Sequence, residues 1–276
     1  MPIRKRLAVI ALILHEPAHS NGGDSCGTPF HDGTEFHLCQ LGTAFHVCHK
    51  GGMGKTTRTA KRRQESLSRE RIIEASIEIL DSDGEEGLTF RALSDRLATG
   101  PGAIYWHIDS KSELLTAACD AIVAHAVDAP VLGMPPEDAI CALSLSLFDA
   151  IDAHPWVGAA LTHAPGQMPV VRILERIGQQ VRALHVRDGD EWQAVCALLN
   201  YIVGVSRQNA ANAQFTRTRG LYRSTLLESL AITWSQLDRK DYPFTCDVAD
   251  QLPDHDDRAD FLAGIKFFLS GLRSST

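Results

Sequence analysis

The sequence predicts an all-α protein in which a short three-helix unit precedes a larger helical body. Three observations lead to that fold class. From Leu67 onward, apolar residues recur at three- and four-residue spacing, the period of one helix face. Each run opens on a residue suited to capping or starting a helix and closes on Gly, Pro or Asp clusters. No stretch alternates apolar and polar residues as a half-buried strand does.

Composition narrows the classes further. With 276 residues, 44% of them hydrophobic, the chain can bury one large core or two small ones. No apolar run approaches the ~20 residues of a membrane-spanning helix, so no membrane partner is expected. The net charge of −7 argues against indiscriminate binding to polyanions, but the average hides a gradient. Lys55, Arg58, Lys61, Arg62 and Arg63 make a basic arm without an acid among them, while the stretch beyond residue 128 is net acidic. That polarity suits a chain that meets DNA at one end. The seven cysteines are scattered and odd in number, which fits a reducing cytoplasm better than a secreted disulfide framework. Cys119, Cys141 and Cys196 sit in apolar helical patterns and read as buried thiols.

Residues 1–52 differ in texture from the rest, being rich in Gly, His and Cys without a usable period. Arg4-Lys5-Arg6 followed by Leu7–Leu14 imitates a signal peptide, but the apolar stretch is short and no small-residue cleavage site follows Pro17. Cys26, His31, His37, Cys39, His46, Cys48 and His49 are metal-ligand types, which raises a metal-responsive regulator as an alternative. Their spacings lack the paired Cys-x-x-Cys knuckle of a zinc module, so no metal and no cofactor is expected. Lys50-Gly51-Gly52-Met53-Gly54-Lys55-Thr56-Thr57 is similar to the deviant Walker A loop of ParA/MinD-type ATPases. Such a loop needs a buried strand before it and an apolar helix after it. Phe45–His49 is a poor strand and Arg58–Arg63 is too polar to pack, so an enzyme is not the favoured reading. A biased tail, or a segment upstream of a translation start at Met53, accounts for these residues more simply. Residues 1–65 are accordingly expected to be a disordered extension or basic arm.

The first helix is expected from Ser68, its N-cap, with Ile72, Ile73, Ser76, Ile77 and Leu80 on one face and Asp83-Gly84 as the stop. Thr89 caps a short second helix whose inward residues are Ala92, Leu93 and Leu97; Ala98-Thr99-Gly100 breaks it. Pro101, pre-set for a first helical position, starts a third through Ile104, Tyr105 and Trp106. Ser110-Lys111-Ser112-Glu113 is a capping box that opens a long fourth helix to about Val127. Two short helices joined by a tight turn and braced by longer ones are the geometry that lays a helix in a DNA major groove.

The stretch LTFRALSDRLATGPGAIYWHIDSKSELL, residues 88–115, closely resembles the signature of the tetracycline-repressor (TetR) family, and Tyr105-Trp106-His107 resembles the triplet of the tetracycline repressors proper. The resemblance is strong over 67–127 and weak beyond. It implies an N-terminal three-helix helix-turn-helix domain, residues 66–127, plus a C-terminal helical ligand-binding and dimerisation domain, residues 128–276. It also implies a repressor that leaves double-stranded operator DNA on binding a small-molecule effector of unknown identity. By the same resemblance, Thr89, Phe90 and Arg91 open the second helix toward the DNA. Gly100, Pro101, Gly102 and Ala103 lie at the groove floor, Tyr105, Trp106 and His107 touch backbone and thymine methyls, and Lys111 holds a phosphate. Two departures matter. Ala98 stands where the family has Gly, so an alanine must accept left-handed geometry at a cost of roughly 1 kcal/mol or distort the turn. Residues 100–103 carry no long polar side chain, which shifts base reading toward Arg91 and DNA shape.

Beyond Pro130, helices are expected at about 136–153, 155–163, 168–186, 191–214, 221–239 and 257–272, jointed at Pro135-Pro136, His154-Pro155, Pro165-Gly166, Asp188–Asp190 and Asp254–Asp257. Helices 191–214 and 257–272 carry wide apolar stripes, and the family resemblance implies a homodimer through them. Polar or aromatic residues in otherwise apolar helices are the effector-contact candidates: Trp156, His163, Trp192, Asn200, Tyr201, Arg207 and Asn209. His163 falls near the magnesium-bound histidine of tetracycline repressors, but His125 is out of register with their other histidine, so a tetracycline sensor is not expected.

Overall fold

A computed structural model describes residues 67–274 except 129, 164, 165 and 188, and for Arg273 and Ser274 the backbone alone. The basic arm, the Walker-like segment and the N-terminal Cys/His set lie outside the described residues. Every regular element among those described is helical, as expected.

Helix α1 (Arg69–Gly87) starts where Ser68 Oγ accepts from Arg71 N at 3.3 Å. It breaks at Gly84, whose φ of 68° a Cβ would strain, and residues 85–87 add a last helical turn. Helices α2 (Phe90–Arg96) and α3 (Pro101–Tyr105) follow, then α4 (Lys111–Val127), the bounds its capping box implied. The body holds α5 (Pro136–Ala153), α6 (Pro155–His163), α7 (Met168–Ala183), α8 (Glu191–Thr218), α9 (Arg223–Ser235), α10 (Pro243–Val248) and α11 (Asp257–Ser274).

Several boundaries differ from the sequence expectation. Helix α7 stops at Ala183 because His185 adopts a φ of 54°. Helix α8 runs four residues further, to Thr218, and Arg219 then lies 4.4 Å over the Phe215 ring. Helix α9 is trimmed at both ends. Residues 243–254, where no helix is expected, form α10 and a 3-10 turn (Ala249–Asp254). Pro243 sits at the first helical position, where its missing N–H costs nothing.

One apolar cluster runs through the molecule, from Ile72, Leu93 and Ile104 in the first three helices, through Leu114 and Val123 of α4, to Ile202 and Ile265 in the body. Helix α4 is the spine: it packs against α1, α5, α6 and α7. Truncating a fully buried aliphatic here costs about 2–5 kcal/mol. Helix α8 packs on α5, α6, α7 and α11. Its Tyr201 crosses α11 at Gly264, where any Cβ would collide with the phenol, and donates to Phe261 O at 3.2 Å. Helices α9 and α10 and the 3-10 turn pack mainly on one another, around Leu227, Cys246 and Ala249.

Candidate nucleic-acid interface

The interface is assembled by two anchors and one strained turn. Leu93 of α2 and Ile104 of α3 are fully buried in the apolar cluster they share with α1 and α4, which turns the opposite faces outward. Thr89 caps α2 by accepting from Ala92 N at 3.1 Å. Ser94, buried, donates to Phe90 O at 2.6 Å, and its own carbonyl accepts from Thr99 N at 3.0 Å, tying the turn. Ala98 takes a φ of 49°, so the alanine accepts left-handed geometry rather than distorting the turn.

Arg91, Gly100, Pro101 and Gly102 are exposed, and Ala103 is half-buried. At the end of α3 the chain presents Tyr105 at 50% exposure, Trp106 at 89%, and an exposed His107. An indole this exposed contributes nothing to the fold. Phe90 is half-buried, its ring stacked on Tyr105 with centroids 4.2 Å apart, so it supports the interface from beneath. Of the residues expected to meet DNA, Thr89, Arg91, Gly100, Pro101, Gly102, Tyr105, Trp106 and His107 are exposed, and Phe90 and Ala103 are half-buried.

Lys111 is engaged in a way the sequence did not reveal. Its Nζ donates to Glu85 O at 2.6 Å, satisfying a carbonyl at the tail of α1. Beside it, Ser110 Oγ accepts from Glu113 N at 3.1 Å and Glu113 Oε2 from Asp109 N at 2.9 Å. Glu113 also pairs with Arg69 at 3.2 Å. The Asp109 N–H, seconded by Arg69, holds the Glu113 carboxyl below its ordinary range.

The seven effector candidates do not line one cavity among the described residues. Trp156 is buried, with Nε1 donating to Asp81 Oδ1 at 2.8 Å. His163 is exposed; its Nδ1 lies 2.9 Å from Ala159 O, and it borders a pocket of about 80 Å³ shared with Thr116, Cys119 and Val170. Trp192 borders a separate groove between α7 and α8. Asn200 faces outward, Tyr201 spaces α8 from α11, Arg207 lies along Gly158, and Asn209 donates to Asp152 at 2.9 Å. Sequence reasoning found these residues by their polarity within apolar helices, a signal that does not separate structural partners from ligand contacts. It missed Asp81 because a carboxylate on an exposed helix face gives no local signal.

Among the described residues no group of three or more His, Cys, Asp or Glu could hold a metal ion, and no helix is long and apolar enough to cross a membrane.

Residues 72–118, which span α1 to the first half of α4, match the family described as bacterial regulatory proteins, tetR family. An HTH-type transcriptional regulator of Saccharopolyspora erythraea is 31% identical over 140 residues, half of this chain and 59% of that relative's length. The class C tetracycline repressor protein of Escherichia coli is 30% identical over 159 residues, 56% of this chain and 71% of the repressor. Among solved structures, the transcriptional regulator SCO7222, a TetR from Streptomyces coelicolor, superposes with a TM-score of 0.69 at 47% identity, covering 76% of this chain and 99% of that one. With the helix-turn-helix, the outward Tyr105-Trp106-His107 and the all-helical body in agreement, the chain belongs to the tetR family of bacterial regulatory proteins.

Proposed function

We propose that the chain is a homodimeric transcriptional repressor that binds an operator through α2 and α3 and releases it when a small-molecule effector occupies the helical body. The observation that carries this reading is Trp106, held 89% exposed between Tyr105 and His107 at the end of a helix whose other face is locked into the core. Exposed aromatics beside small residues allow close approach to a groove, apolar contact with thymine methyls and hydrogen bonds to phosphate. Dimerisation through α8 and α11 is supported by apolar area at their surface, including Phe267 at 77% exposure. A two-fold dimer places its recognition helices about 34–36 Å apart, one turn of duplex. Release needs only an effector that prefers a different spacing; a ~100-fold preference corresponds to about 2.7 kcal/mol.

Selection of bound duplexes from a random pool tests the first step. The expected product is an inverted repeat, and Trp106→Ala abolishes its recovery without lowering thermal stability. Protein that enriches no sequence overturns the reading. A thermal-shift ligand screen followed by gel-shift titration tests the second step, and bound ligands that leave the operator complex intact overturn release.

A further inference from the structure

The first three helices connect covalently to the body through α4 alone, yet a second, polar bridge joins them. Asp81 lies on α1, one turn before the Gly84 break. Its Oδ1 accepts from Trp156 Nε1 at 2.8 Å and faces His154 Nδ1 at 2.8 Å. An ionised carboxylate only accepts, so the His154 tautomer at this contact carries its proton on Nδ1. His154 sits at the corner between α5 and α6; its own N–H donates to Ala150 O at 2.9 Å, and its carbonyl accepts from Val157 N at 2.9 Å. Trp156 follows in the first turn of α6, buried, with its ring edge-on to the imidazole at 6.3 Å. Both donors are thus fixed by backbone structure of the body, and their common acceptor belongs to the DNA-binding unit.

Resting on the reading of the chain as a dimeric regulator, we infer that Asp81 is a positioning residue that sets the angle of the DNA-binding helices on the effector body. The physics favours this over simple adhesion. Apolar packing between α1 and α6 tolerates sliding, whereas a hydrogen bond prefers angles above about 150° and weakens steeply below about 120°. Two donors converging on one oxygen from different elements restrict rotation about either bond alone. The bridge is charge-assisted, and at a partly exposed site water can replace it when the helices turn. It therefore stabilises one orientation of α1 on the α5–α6 corner without preventing another. In a dimer, that orientation decides whether both recognition helices reach their half-sites together.

The test compares Asp81→Ala, Asp81→Asn and Trp156→Phe with the wild-type chain on two duplexes. One is the inverted repeat selected by the wild type, and the other carries a single half-site. Trp156→Phe weakens binding to the full repeat by about tenfold, the equilibrium equivalent of one lost charge-assisted bond, and Asp81→Ala, which removes both bonds, weakens it by at least as much. Both bind the half-site within twofold of wild type, because a lone head docks whatever its angle. Asp81→Asn, whose carboxamide oxygen still accepts both bonds but without the charge, loses less than Asp81→Ala on the full repeat and stays within twofold of wild type on the half-site. A damaged DNA-binding unit would instead weaken half-site and full repeat alike. Wild-type affinity for the full repeat in both Asp81→Ala and Trp156→Phe, or equal losses on the two duplexes, overturns the inference. A wild-type chain that selects no duplex overturns the regulator reading, and this inference with it.

Discussion

Ala98 is the point where the turn between α2 and α3 stores strain, and replacing it with glycine releases that strain. Its φ of 49° places the methyl group in the left-handed region, which costs an L-residue roughly 1–2 kcal/mol. The side chain is exposed and reaches no part of the core, so its removal forfeits almost no packing. The opposing term is the extra freedom glycine gains in the unfolded chain, about 0.5–1 kcal/mol. The balance favours Ala98→Gly by about 0.5–1 kcal/mol. For a folded unit of this size that is a rise in Tm of about 1–4 °C. Ala98→Val sharpens the test, since a branched Cβ fits the left-handed region worst and the variant should lose more than the glycine gains. The assay is thermal and urea unfolding of all three proteins followed by circular dichroism. Wild-type stability in the valine variant, or a loss in the glycine variant, refutes the argument, because either result means residue 98 does not hold this φ in solution.

The remaining predictions concern recognition, acid response and reactivity. Arg91→Ala relaxes operator sequence preference in a selection experiment, whereas Lys111→Ala weakens all duplexes alike and also lowers Tm by removing one of the two donors to Glu85 O; equal losses on operator and random DNA for Arg91→Ala reject the assignment. Glu113 has a folded pKa below its ordinary 4.5, so its contribution is fully present above that value and is lost as pH falls through the lower folded pKa. Glu113→Gln should accordingly flatten the acid limb of a Tm-against-pH curve, and an unchanged limb contradicts the capping-box assignment. The Cys119 thiol, pushed up to about 12 by burial and next by neighbouring Asp120, stays unalkylated by iodoacetamide at pH 8 in the folded protein and reacts on unfolding, as read by peptide mass spectrometry.

What the sequence made legible was local chemistry. The Ser110–Glu113 box placed both the start of α4 and, through the period that follows, its end at Val127. Ala98, standing where the family resemblance has glycine, left two outcomes open, and its φ of 49° shows which one the turn takes. Residues 243–254 were illegible because they carry no sustained helical period, yet Pro243 starts a short helix and Pro253 lies within a 3-10 turn. The unforeseen contacts are long-range. Trp156 meets a carboxylate 75 residues upstream, and Lys111 reaches a carbonyl 26 residues back. No periodicity encodes such pairings, because each partner alone is an ordinary polar group on a helix. Effector contacts are hardest to read, since polarity inside an apolar helix is satisfied equally well by a neighbour, as with Tyr201 and Phe261 O, and by a guest molecule.

The apolar cluster that runs unbroken from Ile72 to Leu269 limits modularity. Severing the chain after α4 would strip Val123, Ala126 and Val127 of their neighbours on α5 and α7 and bare an oily stripe along the cut face. Grafting this reader onto a foreign sensor would therefore require transplanting the spine's whole contact surface, and repertoire in such a protein is more readily gained by altering side chains in place than by shuffling parts.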